Sequence, residues 1–276
     1  MHAPRHLRLP LLLLAALAGP ARAQLDMPPE RQAPCLIEPH VRLSLRSPVA
    51  AVISQVLVER GATVKKGQPL VVLESAEEAA QLESARYRSV MEGQLTAAQA
   101  RVAYLKDKLE RRQALVQQSY VSAQDRDDVA AELRVAEAEL AEARDARQLS
   151  KLEVRRLQAV VAKHTIVSPI TGVVTERLQH PGEMAQAGDA AMAVLKLAQT
   201  DPLKVELVLP VSRHGRIKPG DTLNIRPEAP FKGVHKAVVR VVDPVIDPAS
   251  GTFGVRAELP NPSGLLPAGA RCAADL

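Results

Sequence analysis

A chain of 276 residues with 46% hydrophobic content is long enough for one or two domains with real cores. Aromatic residues make up only 2% and Trp is absent, so those cores must be built from Val, Leu, Ile and Ala, and an aromatic surface for stacking bases is excluded. Lys and Arg outnumber Asp and Glu by 36 to 31, a net +5 that falls to about +2 without Arg5, Arg8 and Arg22 of the N-terminal leader; no basic patch interleaved with aromatics marks a nucleic-acid binder.

The leader comes first. Arg5 and Arg8 are followed by an apolar run from Leu9 to Ala18 and then by Ala21-Arg22-Ala23, the small-x-small form of a signal peptidase site. Residues 1–23 are predicted to be a cleaved secretory signal, because the run is short for a bilayer span and contains Pro10. No Cys stands at the cleavage site to carry a lipid, and no later run is long enough for a membrane span, so the mature protein is expected to be soluble in an exported compartment. In an oxidising compartment the two cysteines, Cys35 and Cys272, most simply form a disulfide tying the N-terminal segment to the last strand. Two buried free thiols are the alternative.

Residues 24–46 make an N-terminal segment and a first strand. Pro28, Pro29 and Pro34 mark a flexible lead-in over 24–34, and Val41, Leu43 and Leu45 alternate with Arg42, Ser44 and Arg46 at the period of a half-buried strand. Residues 47–75 and 165–198 then carry one motif written twice. SPVAAVISQVLVERGATVKKGQPLVVLE from Ser47 aligns without a gap on SPITGVVTERLQHPGEMAQAGDAAMAVLK from Ser168. Ser47, Pro48, Gly61 and Gly67 pair with Ser168, Pro169, Gly182 and Gly188, and Val52 with Val173. The two stretches are predicted to be halves of one pseudo-symmetric β unit, with strands joined by tight turns.

Residues 76–164 interrupt that unit with heptads. Met91, Leu95, Ala98, Val102, Leu105, Leu109 and Val116 alternate at spacings of four and three, with Arg112 in a core slot. Val129, Leu133, Ala136, Leu140, Ala143, Val154, Leu157 and Val161 repeat the pattern, interrupted by Arg147 and Ser150. Two such seams joined around Gln118 to Ser122 predict an antiparallel coiled-coil hairpin, a rod of about 60 Å that presents its tip far from the body. Residues 199–276 return to short strands: 203–209, 222–226, 237–242 and 252–259, with a short helix over 211–217 ended by Pro219-Gly220 and turns at 247–251, 260–262 and 267–269. They predict a small antiparallel β-barrel. The fold class is α+β, mainly β with a long α-helical hairpin.

Catalytic and metal chemistry find no footing. No nucleophile elbow, phosphate-cradling loop or HExxH is present. The pairs Glu77-Glu78 and Asp127-Asp128 sit on helices, where neighbouring side chains diverge, so they read as solvated charges. His40, His164, His180, His214 and His235 are scattered without ligand spacing, and Met184 and Met192 read as core filler rather than soft ligands.

The order β half, α-hairpin, β half, β-barrel, together with LVERGATVKKGQPLVVLES, SPITGVV and GTFGVRAELPNPSGLLPAG, resembles the periplasmic adaptors, or membrane fusion proteins, of tripartite efflux systems, in the short form that serves RND-type pumps. The resemblance covers essentially the whole chain after the leader. It implies that the split β unit is a lipoyl-like domain, and that the protein is a non-catalytic, cofactor-free periplasmic subunit. That subunit would form a ring, a homo-hexamer, linking an inner-membrane efflux pump to a TolC-like outer-membrane channel. The family's channel-docking tip carries Arg, three residues, Leu, six residues, Ser; Arg111, Leu115 and Ser122 stand at those spacings on the predicted turn. Leu115 packing the seam and Ser122 capping the second helix is the bland reading of the same residues. True lipoyl and biotinyl carriers display a Lys between their halves, where this chain has Ala76 and Glu77, so a carrier role is not expected. The barrel is expected to run to Leu276, leaving little room for the membrane-proximal domain of many family members. An adaptor for an ABC or other exporter, and a secreted coiled-coil scaffold of the cell envelope, are the alternatives.

Overall fold

The computed structural model describes residues 32–188 and 191–276, and His2. Apart from His2, the predicted signal peptide lies outside the described residues. In chain order the elements are β1 (Gln32–Pro39), β2 (Arg42–Leu45), β3 (Ala51–Val56), β4 (Thr63–Val64), β5 (Pro69–Leu73), α1 (Ala76–Val90), α2 (Gly93–Gln117) and α3 (Ala123–Ala162). There follow β6 (Thr165–Val167), β7 (Gly172–Arg177), β8 (Met184–Ala185), β9 (Leu195–Ala198), β10 (Leu203–Pro210), β11 (Thr222–Pro227), β12 (His235–Val242), β13 (Thr252–Leu259) and β14 (Arg271–Asp275).

The repeated motif folds as two four-stranded sheets, β2-β9-β7-β4 and β6-β5-β3-β8, around a core that includes Ile53, Val64, Leu70, Leu73, Val174, Val194 and Leu197. The second sheet takes two strands from each half; the first takes β4 from the first half, β7 and β9 from the second, and β2 from the segment before them. The repeat is visible bond by bond. Strands β3 and β7 occupy windows 121 positions apart, as do β4 and β8. Gly61 N donates to Val174 O, and its counterpart Gly182 N donates to Ile53 O, both at 2.8 Å. Buried Ser47 and Ser168 each donate Oγ to the carbonyl two residues on, Val49 and Ile170. Gly61 (φ 88°) and Gly182 (φ 91°) turn the chain through the left-handed region that excludes most side chains.

The barrel is a closed six-stranded one in the order β1-β10-β13-β12-β11-β14, filled by Ile37, Val205, Leu207, Leu209, Ile225, Phe253 and Leu259. Its first strand corrects the expected lead-in, which ran to residue 34. Gln32–Pro39 alternates outward and inward positions, with Ala33, Cys35 and Ile37 buried. Pro34 is tolerated because pairing with β10 starts only at Cys35. The expected helix over 211–217 is also shorter than read, a single 3-10 turn at Val211–Arg213. Where the chain passes from the sandwich into the barrel, buried Asn261 fixes the linker between β9 and β10. Its Nδ2 donates to Thr200 O (3.0 Å) and Leu266 O (2.9 Å), its Oδ1 accepts from Leu266 N (3.2 Å), and its N donates to Asp201 Oδ1 (2.8 Å).

The hairpin differs from the expected pair of unbroken arms. Its first arm stops at Met91, which is extended (ψ 128°) and exposed rather than in the seam, and restarts at Gly93. Two apolar clusters result. Leu82 and Ala85 pack with Leu157, Val154 and Val161 near the base; Leu95, Ala98, Val102 and Leu105 pack with Leu133, Ala136 and Leu140 beyond the break. Opposite the break stand Arg147 and Ser150, the two residues that interrupt the second seam. Arg147 Nη2 pairs with Glu92 Oε1 at 2.7 Å, while its buried Nε has no partner. Without apolar contacts to hold a continuous helix at this height, and with the poor helix former Gly93 next in line, the arm breaks there. Exposed ion pairs Arg101–Glu139, Lys106–Glu137 and Lys108–Glu132 follow the antiparallel register along the outer rod. At its base, buried His164 sits with Nδ1 3.2 Å from Val160 O and Nε2 3.5 Å from Glu78 Oε1, so Glu78 is not the freely solvated charge its sequence context suggests.

Candidate functional site: the hairpin tip

The far end of the rod is built from two helix caps. At its C-terminus α2 closes in a Schellman turn: Ser119 N donates to Val116 O at 3.0 Å and Tyr120 N to Leu115 O at 2.9 Å. The turn needs a left-handed residue, and Ser119 supplies it at φ 58° where glycine is the usual occupant. Two residues later α3 starts with a capping box. Ser122 Oγ accepts from Asp125 N (3.1 Å) and donates to Asp125 Oδ2 (2.7 Å), and Asp125 Oδ2 also accepts from Ser122 N (3.1 Å). These hydrogen bonds from Ser122, side chain first and then backbone, hold the Asp125 carboxyl below its ordinary range, helped by the charge of Arg112 and opposed by slight desolvation.

The three residues singled out by spacing all lie at this end. Arg111 and Leu115 are one helical turn apart on α2 and both exposed, and Arg111 makes no ion pair or side-chain hydrogen bond among the described residues. Ser122 stands across the turn at the head of α3, with its hydroxyl committed to the cap. The spacing does not flag Tyr120, the most exposed large side chain of the tip at 75%. The stretch 113–124 around it carries no charge, although charged residues recur along the rest of the rod. An uncharged window inside a charged coiled coil is a signal the sequence does contain.

The turn where a carrier would display its lysine is the start of α1. Glu74 Oε1 accepts from Ser75 N and Ala76 N, and Glu77 and Glu78 occupy the first turn, where carboxylates suit the positive end of a helix. Among the described residues no group of three or more His, Cys, Asp or Glu side chains is placed to hold a metal. Met184 and Met192, expected as core filler, are exposed, since their strand and loop lie at the sandwich surface. Cys35 and Cys272 face each other across β1 and β14 and are bonded, with Cα atoms 4.8 Å apart. No helix among the described residues is long and apolar enough to cross a membrane.

Known proteins share this arrangement. Residues 42–198, the sandwich with its hairpin, match the CzcB-like barrel-sandwich hybrid domain, and residues 203–276 match the CusB-like β-barrel domain. The multidrug resistance protein MdtE of Escherichia coli K12 is 26% identical over 242 residues, covering 83% of this chain and 59% of MdtE. The macrolide export protein MacA of Escherichia coli O157:H7 is 29% identical over 239 residues, covering 82% of this chain and 62% of MacA. The chain therefore spans less than two thirds of the length of either relative. Among solved structures, MacA from Actinobacillus actinomycetemcomitans superposes with a TM-score of 0.73 at 20% identity, over 88% of this chain and 76% of that one. Spr0693 from Streptococcus pneumoniae R6, a membrane fusion protein, gives 0.60 at 15% identity, over 88% and 96%. These two share the fold. With the family match extending over more than half its length, the chain belongs to the CusB/CzcB-like family of periplasmic adaptor, or membrane-fusion, proteins.

Proposed function

We propose that this protein is the non-catalytic adaptor of a tripartite exporter, joining an inner-membrane efflux pump of the RND type to a TolC-like outer-membrane channel. The observation that carries the reading is the hairpin itself. A 40-residue helix α3 gives it a length of about 60 Å, and it ends in a doubly capped, uncharged tip beside an unpaired Arg111. A rod that buries only its seam gains little stability from such length; what length provides is reach. The relatives named for multidrug resistance and macrolide export support export as the activity. In this reading copies of the chain assemble as a hexameric ring, the tips meet the channel through Arg111, Leu115 and Ser122, and the barrels face the pump.

Charge reversal at the tip tests it. Arg111 is exposed and unpaired, so Arg111→Asp leaves folding intact while placing a carboxylate in the docking surface. Efflux-dependent resistance is expected to be lost with an unchanged melting temperature. Wild-type efflux from cells carrying only the Arg111→Asp chain would contradict the assignment.

A further inference from the structure

Within the adaptor reading, on which this inference rests, we propose that Tyr120 is the anchoring contact of the tip and that Ser122 supports it as a helix cap. Three observations converge. The first is the commitment of Ser122. Its one hydroxyl hydrogen goes to Asp125 Oδ2 and its oxygen accepts from Asp125 N, so Ser122 can donate to a partner only by breaking the cap that starts α3. The second is the left-handed Ser119. Holding a non-glycine residue at φ 58° costs free energy, and the turn built on it delivers Tyr120 to the apex, held by the bond from its N to Leu115 O. The third is exposure. Tyr120 is 75% exposed at the apex, where the uncharged stretch 113–124 surrounds it, whereas the other strongly exposed large side chains of the hairpin, such as Tyr87, Tyr104 and Leu149, lie along the length of the rod.

This surface fits one kind of partner. Burying it desolvates no charge, which suits a packed protein contact, whereas a phosphate-bearing surface would want cations at the apex. A tyrosine offers a rigid ring for an apolar pocket and a hydroxyl that needs one polar partner, the combination enriched at the centres of binding interfaces. The ends of α-helices provide such polar partners in their unpaired backbone carbonyl and N–H groups. Arg111, without a partner of its own and set back from the apex on α2, is placed at the rim, where a cation meets the negative ends of helices or a carboxylate. The occupant is thus the helical end of the outer-membrane channel, met end on by the Tyr120 apex.

The test uses the full chain in cells that depend on it for efflux, with a photo-crosslinking amino acid at Gln118 and the captured protein identified by mass spectrometry. Tyr120→Ala is expected to lower crosslinking to the channel and resistance by about tenfold or more, with no change in melting temperature. Tyr120→Phe should fall between, as the ring is kept and the hydroxyl lost. Ser122→Ala is expected to lower crosslinking through fraying of α3, and Ser122→Asn, a neutral cap without a hydroxyl, to restore it. Wild-type crosslinking by Tyr120→Ala, or no rescue by Ser122→Asn in a chain whose helix content is restored, would overturn the inference. The outcomes separate from those of the docking reading: loss with Arg111→Asp but not with Tyr120→Ala sinks only the role of Tyr120, whereas wild-type behaviour of both sinks docking itself.

Discussion

At the scale of single residues, the tip combines one strained residue with one reciprocally hydrogen-bonded cap. Ser119 adopts a left-handed conformation that a Cβ disfavours, so Ser119→Gly should stabilise the hairpin by about 0.5–1 kcal/mol, the unfolded-chain entropy of glycine offsetting part of the relief. Thermal unfolding measures this directly; a lower melting temperature would mean that the Schellman turn does not form in solution. Asp125 sets a pH limit. Its carboxyl is held below the ordinary range by Ser122, so the contribution of the cap is complete above the unfolded-state value and is lost as pH falls through the lower folded one. The amide signals of residues 122–125 should therefore stay unchanged through mild acid and shift only in strong acid; fraying near neutral pH would contradict the capping box. The cap is legible from Ser122 and Asp125 at the spacing S-x-x-D. The conformation of Ser119 is not, because no glycine or asparagine marks the turn, and so Tyr120 escapes a reading based on spacing.

At the scale of elements, the seams of the rod are legible as heptads, but the break at Met91 and Glu92 is not. Met91 keeps the heptad spacing, and only the facing arm explains why it leaves the seam: Arg147 and Ser150 stand at that height in place of apolar residues. Arg147 bears the cost, with a buried Nε lacking a partner. Arg147→Leu would join the two clusters, and since Glu92 can return to solvent the hairpin should gain about 1 kcal/mol. A loss on urea unfolding would show that the Arg147–Glu92 pair outweighs the missing hydrogen bond. The repeated β motif is equally legible as a repeat, yet its exchange of strands between the two sheets is hidden, because matching sequences do not say whether repeats pair within or across themselves. Departures from the repeat carry local reasons of the same kind. Gly172 stands where the first half has Ala51 because the carbonyl of Ala198 leaves no room for a Cβ.

At the scale of the whole molecule, three junctions turn separate parts into one strut. The Asn261 network holds the linker that leads from the sandwich into the barrel, His164 with Glu78 closes the base of the hairpin, and β1 runs from the barrel directly into the sandwich, with Cys35 bonded to Cys272. The strand β1 is the part of the barrel the sequence obscures, since Pro28, Pro29 and Pro34 look like a linker and closure with β10 and β14 depends on residues 164–243 positions away. A strut so joined suits the adaptor role proposed above. The most direct test is chemical crosslinking of intact cells followed by purification through this chain and mass spectrometry of the captured complex. One assembly holding several copies of the adaptor, an inner-membrane efflux pump and an outer-membrane channel, with channel crosslinks mapping to residues 111–122, is the expected result. Crosslinks only between copies of this chain, with neither membrane partner, would contradict it.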